Sequence, residues 1–149
     1  MTATALDPVR RSREVAAAPE RTWTALTAEI GRWWPLGGRF SCSGDPTAAV
    51  AFRDGLLVET EPDGTEHVWG EVLRWEPPHR VLLTWHPGQP AGPTATEVEL
   101  TVVPLSSGGS RVEVVHTGWE RLARDPAPVR ESYDGGWDSV LAPLGALLA

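Results

Sequence analysis

Residues 125–148, DPAPVRESYDGGWDSVLAPLGALL, decide how this chain folds. Asp125 is a favourable helix N-cap, and Pro126 suits the first helical position. The apolar side chains that follow recur every three or four residues, which predicts one long amphipathic helix with a single stripe to bury. The stripe comprises Val129, Tyr133, Trp137, Val140, Leu144 and Leu147, opposite Arg130, Glu131, Asp134 and Asp138.

Upstream of this helix the apolar period changes to two, as half-buried strands require. Residues 97–102 and 111–117 alternate apolar and polar side chains on either side of a Ser-Ser-Gly-Gly turn. The same period predicts extended structure at Phe40 and Cys42. Short turns rich in Gly, Pro and Asp separate the other segments, so we predict six or seven strands in an antiparallel meander.

The N-terminal part predicts a strand over residues 9–15 and a helix that begins at Pro19. Trp33 and Trp34 follow as a short helical turn. We therefore predict an α+β fold in which a curved antiparallel sheet wraps around the long C-terminal helix, with short helices near the N-terminus. Residues 1–8 are predicted to be a flexible N-terminus, and residues 9–149 a single domain.

Composition limits the classes of function that remain. The net charge of −7 argues against a nucleic-acid binder, which needs a basic face. A single cysteine, Cys42, excludes an intrachain disulfide and fits a reducing compartment, so we expect a cytoplasmic protein. No stretch has the apolar length of a signal peptide or a membrane-spanning helix, so membrane insertion is not expected.

Five short stretches, in the same order along the chain, resemble the START-like superfamily, also called SRPBCC, Bet v 1-like or helix-grip proteins. Within it the likeness is to bacterial proteins related to the C-terminal domain of the Hsp90 ATPase activator. The matching stretches are residues 18–23 (APERTW), 70–72 (GEV), 76–85 (EPPHRVLLTW), 116–119 (HTGW) and 135–137 (GGW). This resemblance implies a deep cavity between sheet and C-terminal helix that holds apolar ligands.

Eight tryptophans against two Phe and one Tyr make the interior unusually aromatic. Trp either fills a core or lines a cavity with its N–H turned to a partner. If the implied cavity is present, we expect a ligand to meet mainly aromatic side chains. The predicted ligand-binding residues are Trp23, Trp34, Phe40, Phe52, Trp69, Glu71, Trp85, His116, Trp119, Tyr133 and Trp137.

His116 is the one candidate catalytic residue. It shares strand parity with Val112 and Val114, so its side chain points inward. It is either a general base at the cavity wall or, as we favour, a core histidine bonded to its neighbours. Glu71 is either an inward carboxylate or, as the pattern modestly favours, a solvated one.

The Gly135-Gly136 pair lies inside the predicted C-terminal helix, where each Gly costs about 1 kcal/mol relative to Ala. It either lets Trp119 or a strand approach the helix or leaves room for a ligand, and the sequence favours neither. We expect no metal, because the histidines lack ligand spacing, and no cofactor, because the chain has no nucleotide-binding fingerprint. Cys42 is predicted to be a small buried residue.

These observations favour a binding protein for a small apolar or aromatic molecule. A cyclase or dehydratase that uses His116 as a general base is the first alternative, and its weakness is that His116 has no secure inward partner. A protein-interaction module like the Hsp90 activators is the second, although the chain lacks the separate N-terminal domain of the eukaryotic activators. A homodimer is a further possibility.

Overall fold

The computed structural model describes residues 6–149, so the predicted flexibility of residues 1–5 lies outside the described residues. Seven antiparallel strands form one sheet in the order β1-β7-β6-β5-β4-β3-β2. The strands are β1 (Val9–Val15), β2 (Ala49–Arg53), β3 (Leu56–Thr60), β4 (Glu66–Glu76), β5 (Arg80–Trp85), β6 (Thr96–Pro104) and β7 (Ser110–Thr117). The helices are α1 (Pro19–Leu26), α2 (Ile30–Trp33) and α3 (Pro126–Leu147).

Strict alternation of buried and partly exposed side chains marks β6 and β7, which pair with each other between β1 and β5. Every second side chain of each strand is buried, and the hairpin register pairs Val98 with His116 and Leu100 with Val114. β1 pairs on the other side of β7, placing Val9 opposite His116. The aromatic side chains of Trp119, Tyr133 and Trp137 cover the inward face of β7 at His116, which is fully buried.

Irregularities in the pairing of β4 bend the sheet. The register shifts between Leu57 and Val58 on β3 and again between Val72 and Arg74 on β4. Such bulges increase local twist and reorient side chains. Gly70 permits the bend, because a Cβ there would lie 1.8 Å from the carbonyl oxygen of Thr84 on β5. The β2–β4 half of the sheet thus turns relative to the β5–β7 half.

The helix α3 lies against the concave face that this bend creates. The Asp125 carboxylate accepts a hydrogen bond from the N–H of Ala127 at 3.2 Å, as expected of an N-cap. Arg11 of β1 anchors the helix by pairing with the Asp134 carboxylate at 3.0 Å and donating to the Asp134 carbonyl at 2.7 Å. The predicted α+β helix-grip architecture is confirmed.

One sequence-based expectation was wrong. Phe40 ends a short 3₁₀ turn, and Cys42 lies in the irregular loop before β2, so neither residue is in a strand. Gly37 and Gly38 both adopt positive φ, at 88° and 76°, which breaks an extended backbone. Backbone groups in this loop bond to side chains instead of a neighbouring strand.

A membrane-spanning helix would need a long apolar run, and none of the helices described over residues 6–149 has one.

Candidate functional site

A cavity of about 570 Å³, partly open to solvent, separates α3 from the concave face of the sheet. This volume lies within the range of about 300–1,000 Å³ that is usual for small-molecule sites. Its lining comes from α3, from the ends of β4 and β5, and from the segment between α2 and β2. The rim, by which we mean the exposed lining residues, consists of Arg39, Gly88, Arg124, Pro128 and Ser132.

Four tryptophans form the aromatic wall of the cavity: Trp34, Trp69, Trp85 and Trp137. Trp34 is central, with its ring centroid 5.1 Å from that of Trp69 and 6.0 Å from those of Trp85 and Trp137. These separations are typical of tilted and edge-to-face aromatic pairs. The rings support one another, so the wall is held in place without a ligand.

Every indole N–H of the aromatic wall already has a partner within the protein. Trp34 donates to the Phe40 carbonyl at 2.8 Å, and Trp69 to the Glu59 carboxylate at 3.2 Å. The other two bonds are Trp85 to the Tyr133 hydroxyl and Trp137 to Nδ1 of His116, both at 3.1 Å. The wall therefore presents only ring carbon atoms to a ligand. Any hydrogen bonds to the ligand must come from other residues.

His116 is completely buried behind this wall and does not line the cavity. Because an indole N–H can only donate, Nδ1 of His116 accepts from Trp137, and the neutral ring carries its proton on Nε2. Nε2 lies 2.7 Å from the Thr96 hydroxyl, which in turn donates to the carbonyl of Trp85 at 3.2 Å. Burial lowers the pKa of His116 to about 3, so the ring is uncharged at neutral pH.

Glu59 on β3 is a buried carboxylate that faces the loop of Cys42 and Ser43. It accepts hydrogen bonds from the Cys42 N–H at 2.7 Å, the Ser43 N–H at 3.2 Å, the Ser43 hydroxyl and the Trp69 indole. Burial alone would raise the pKa of Glu59, but these hydrogen bonds together hold it below the usual value. The carboxylate thus fixes a loop that forms part of the cavity lining.

Two ionisable groups of the lining are neutral at physiological pH. Burial raises the pKa of the Tyr133 hydroxyl. Burial, followed by the nearby charge of Glu59, raises the pKa of the Cys42 thiol. A neutral thiol is a weak nucleophile, so Cys42 acts here as lining rather than as a reactive group.

The adjacent glycines of α3, Gly135 and Gly136, have different surroundings. A Cβ at Gly135 would meet nothing within 4 Å, whereas one at Gly136 would lie 3.6 Å from the Phe40 ring. Gly136 is buried and lines the cavity, and Gly135 is exposed. Neither Trp119 nor a strand lies close to either glycine. Gly136 therefore leaves space in the cavity that a larger side chain would occupy.

The structure brings together six of the predicted ligand-binding residues in the lining of this cavity, namely Trp34, Phe40, Trp69, Trp85, Tyr133 and Trp137. The others lie elsewhere: Trp23 and Phe52 pack against Trp75, Glu71 is exposed, and Trp119 and His116 are fully buried behind Tyr133.

Sequence reasoning missed three charged residues, Arg39, Arg124 and Glu59. The two arginines belong to the rim, and Glu59 fixes the loop behind the lining. The sequence held one signal for Glu59, an acidic residue inside the otherwise apolar strand LLVET. The arginines carried none, because an isolated Arg in a loop has the pattern of any solvated cation.

Within residues 6–149, no three His, Cys, Asp or Glu side chains come together in a way that could hold a metal ion.

A bent antiparallel sheet that grips a C-terminal helix over an aromatic cavity defines a helix-grip protein of the START-like class. Residues 16–149 match the family model described as "Activator of Hsp90 ATPase homolog 1-like protein". The chain therefore belongs to this family, and the resemblance inferred from its sequence is confirmed. No curated protein matches the chain in sequence.

Solved structures agree with this membership. The structure of an anthrahydroquino-gamma-pyrone synthase, Txn09, complexed with SUM is 31% identical, covers 95% of this chain and 97% of that chain, and has a TM-score of 0.62. CalC from Micromonospora echinospora, described as a self-sacrificing resistance protein, is 24% identical over 95% of this chain and 94% of that chain, with a TM-score of 0.71. At that identity the likeness to CalC shows the fold alone.

Proposed function

We propose that this protein binds a small apolar or aromatic molecule in the cavity between the sheet and α3. The observation that carries the proposal is the aromatic wall, whose four indole N–H groups all bond within the protein. Because such a wall exposes only ring carbon, binding is most favourable when it buries apolar surface of the ligand. The cavity is large enough for a molecule of two or three fused or linked rings.

Adjacent glycines on α3 supply a matched pair of variants. Gly136→Leu places a side chain into the cavity beside Phe40, whereas Gly135→Leu places the same side chain in solvent. Both replacements remove a helical glycine, so both gain about 1 kcal/mol of helix propensity. Any difference between them therefore reports on the cavity.

The test uses phenylnaphthylamine, an uncharged probe whose fluorescence rises in apolar surroundings. We expect saturable binding to the wild-type protein and to Gly135→Leu, and an affinity at least about tenfold weaker for Gly136→Leu. Equal affinity for the two variants would mean that the probe binds elsewhere, and absence of saturable binding to the wild type would refute the proposal.

A cyclase or dehydratase type of reaction in the same cavity is the second candidate. The observation that favours it is the 31% identity to a protein described as a synthase. In either case we assign His116 a structural role, which is supported by its full burial and by partners on both ring nitrogens. Tyr133, whose neutral hydroxyl lines the cavity, is the better placed proton donor.

Native mass spectrometry distinguishes the two candidates. A molecule that copurifies with the wild-type protein and is released unchanged supports a binding protein. Loss of one water from the bound molecule during incubation, abolished in Tyr133→Phe, supports the enzyme. An interaction module for Hsp90, a homodimer and a cytoplasmic location remain predictions from the sequence.

A further inference from the structure

The cavity lining is positively charged although the chain as a whole is acidic. The net charge is −7, yet the lining contains Arg39 and Arg124 and no Asp or Glu. Among the ion pairs of the described residues, neither of these arginines has a carboxylate partner, whereas nine other Arg or His side chains do. Three other arginines, Arg10, Arg13 and Arg130, also lack a carboxylate partner among these ion pairs, but none of the three lines the cavity.

The two arginines reach the rim from different segments, Arg39 from the 3₁₀ turn after α2 and Arg124 from the residue before the N-cap of α3. Arg39 lies over the Phe40 ring, with its Cζ 5.2 Å from the centroid, and its Nη2 is 3.5 Å from the carbonyl oxygen of Ser132 on α3. Arg124 precedes α3 and lies near Tyr133. Burial raises the pKa of the Tyr133 hydroxyl, and the positive charge of Arg124 acts in the opposite direction. Stacking on Phe40 holds Arg39 in place while leaving N–H groups free.

Inside the cavity, Tyr133 provides a free hydrogen-bond donor. The Tyr133 hydroxyl accepts from Trp85, and its own proton has no acceptor among the described residues. Glu59, the carboxylate that binds the loop of Cys42, does not line the cavity and accepts hydrogen bonds from four donors. A ligand therefore meets ring carbon and the Tyr133 hydroxyl donor in the interior and two cations at the rim.

We propose that the ligand of this cavity is an organic anion, an aromatic body that carries a carboxylate, sulfonate or phenolate held at the rim by Arg39 and Arg124. This inference rests on the proposed binding function and adds to it the charge of the ligand. The aromatic body lies against the aromatic wall. The anionic group pairs with the guanidinium N–H donors, which match the oxygens of such groups in geometry.

The experiment compares two probes that share one scaffold. Anilinonaphthalene sulfonate carries an anionic group, and phenylnaphthylamine is the same ring system without it. Both are titrated into the wild type, Arg39→Gln, Arg124→Gln, the double variant and Arg10→Gln. Arg10 is an exposed arginine of β1 without a carboxylate partner and outside the lining, so its replacement changes the net charge equally.

We expect the sulfonate to bind the wild type more tightly than phenylnaphthylamine does. The double variant should lose about tenfold in affinity for the sulfonate, as expected when two partly exposed charge pairs disappear. Its affinity for phenylnaphthylamine should change less than about twofold, and Arg10→Gln should behave as the wild type with both probes. Added salt should weaken binding of the sulfonate alone.

Two results would overturn the inference in distinguishable ways. If both probes bind the wild type equally and the arginine variants leave sulfonate affinity unchanged, the ligand charge is wrong while the binding cavity stands. If neither probe binds the wild type saturably, the binding function fails and the inference fails with it.

Discussion

Replacing His116 by Gln tests whether the buried imidazole is held neutral for a structural purpose. Gln offers one acceptor and one donor, so it can accept from the Trp137 indole and donate to the Thr96 hydroxyl as the neutral ring does. It does not titrate. The variant therefore removes the proton equilibrium of His116 and preserves the two hydrogen bonds that surround it.

The magnitude follows from the two pKa values. The ordinary pKa of a histidine in an unfolded chain is about 6.5, and that of buried His116 is about 3. Below pH 6.5 the unfolded chain binds a proton that the folded protein excludes, so stability falls as pH falls toward 3. The slope is about 1.4 kcal/mol per pH unit, which gives a loss of about 2 kcal/mol between pH 7 and pH 5.

The assay is urea denaturation followed by tryptophan fluorescence at pH 7 and pH 5. The wild-type protein should lose about 2 kcal/mol more than His116→Gln between the two pH values. His79→Gln is the matched control, because His79 is exposed and lies outside the core. Its pH dependence should follow that of the wild type. An equal loss of unfolding free energy in the wild type and in His116→Gln would refute the assignment of His116 as a neutral core histidine. A role as a general base would then have to be reconsidered.

Three further variants test the loop, the sheet and the helix around the cavity. Glu59→Gln should lower the free energy of unfolding by about 2 kcal/mol, because the carboxylate accepts four hydrogen bonds and one of its oxygens becomes an NH2 donor. The Cys42 thiol of this variant should also react faster with a maleimide. The stability that ionised Glu59 contributes should be fully present above about pH 4.5 and be lost as the pH falls further, because the pKa of Glu59 is lowered in the folded protein. Gly70→Ala should destabilise by about 1–3 kcal/mol, because its Cβ would overlap the Thr84 carbonyl. Gly135→Ala, whose Cβ meets nothing within 4 Å, should stabilise by up to about 1 kcal/mol in the same urea denaturation.

The strands and the long helix could be predicted because their burial is periodic. β6 and β7 alternate without interruption, and α3 carries one continuous stripe, so local pattern and tertiary packing agree. The same regularity predicted that the side chain of His116 points inward, whereas Trp34 and Phe40, which line the cavity, lie outside the strands and have no such pattern. The family resemblance added the position of that cavity between sheet and helix.

The course of the loop before β2 and the side taken by Trp75 could not be predicted, because both depend on long-range contacts. Glu59 fixes the backbone of Cys42 and Ser43 from a strand that is distant in sequence, and no local pattern shows this. The register shift between Val72 and Arg74 alters strand parity within β4, which leaves Trp75 outside, packed on Trp23. Bulges leave no signal in apolar alternation.

The central claim is that the space between the sheet and α3 is a binding site and not a packing defect. The most direct measurement is a crystal structure of the protein soaked with phenylnaphthylamine. We expect the probe to lie between the sheet and α3, with its rings against Trp34 and Trp85 and next to Gly136. A structure in which Phe40 or α3 has closed over this space, with the probe on the outer surface, would contradict it.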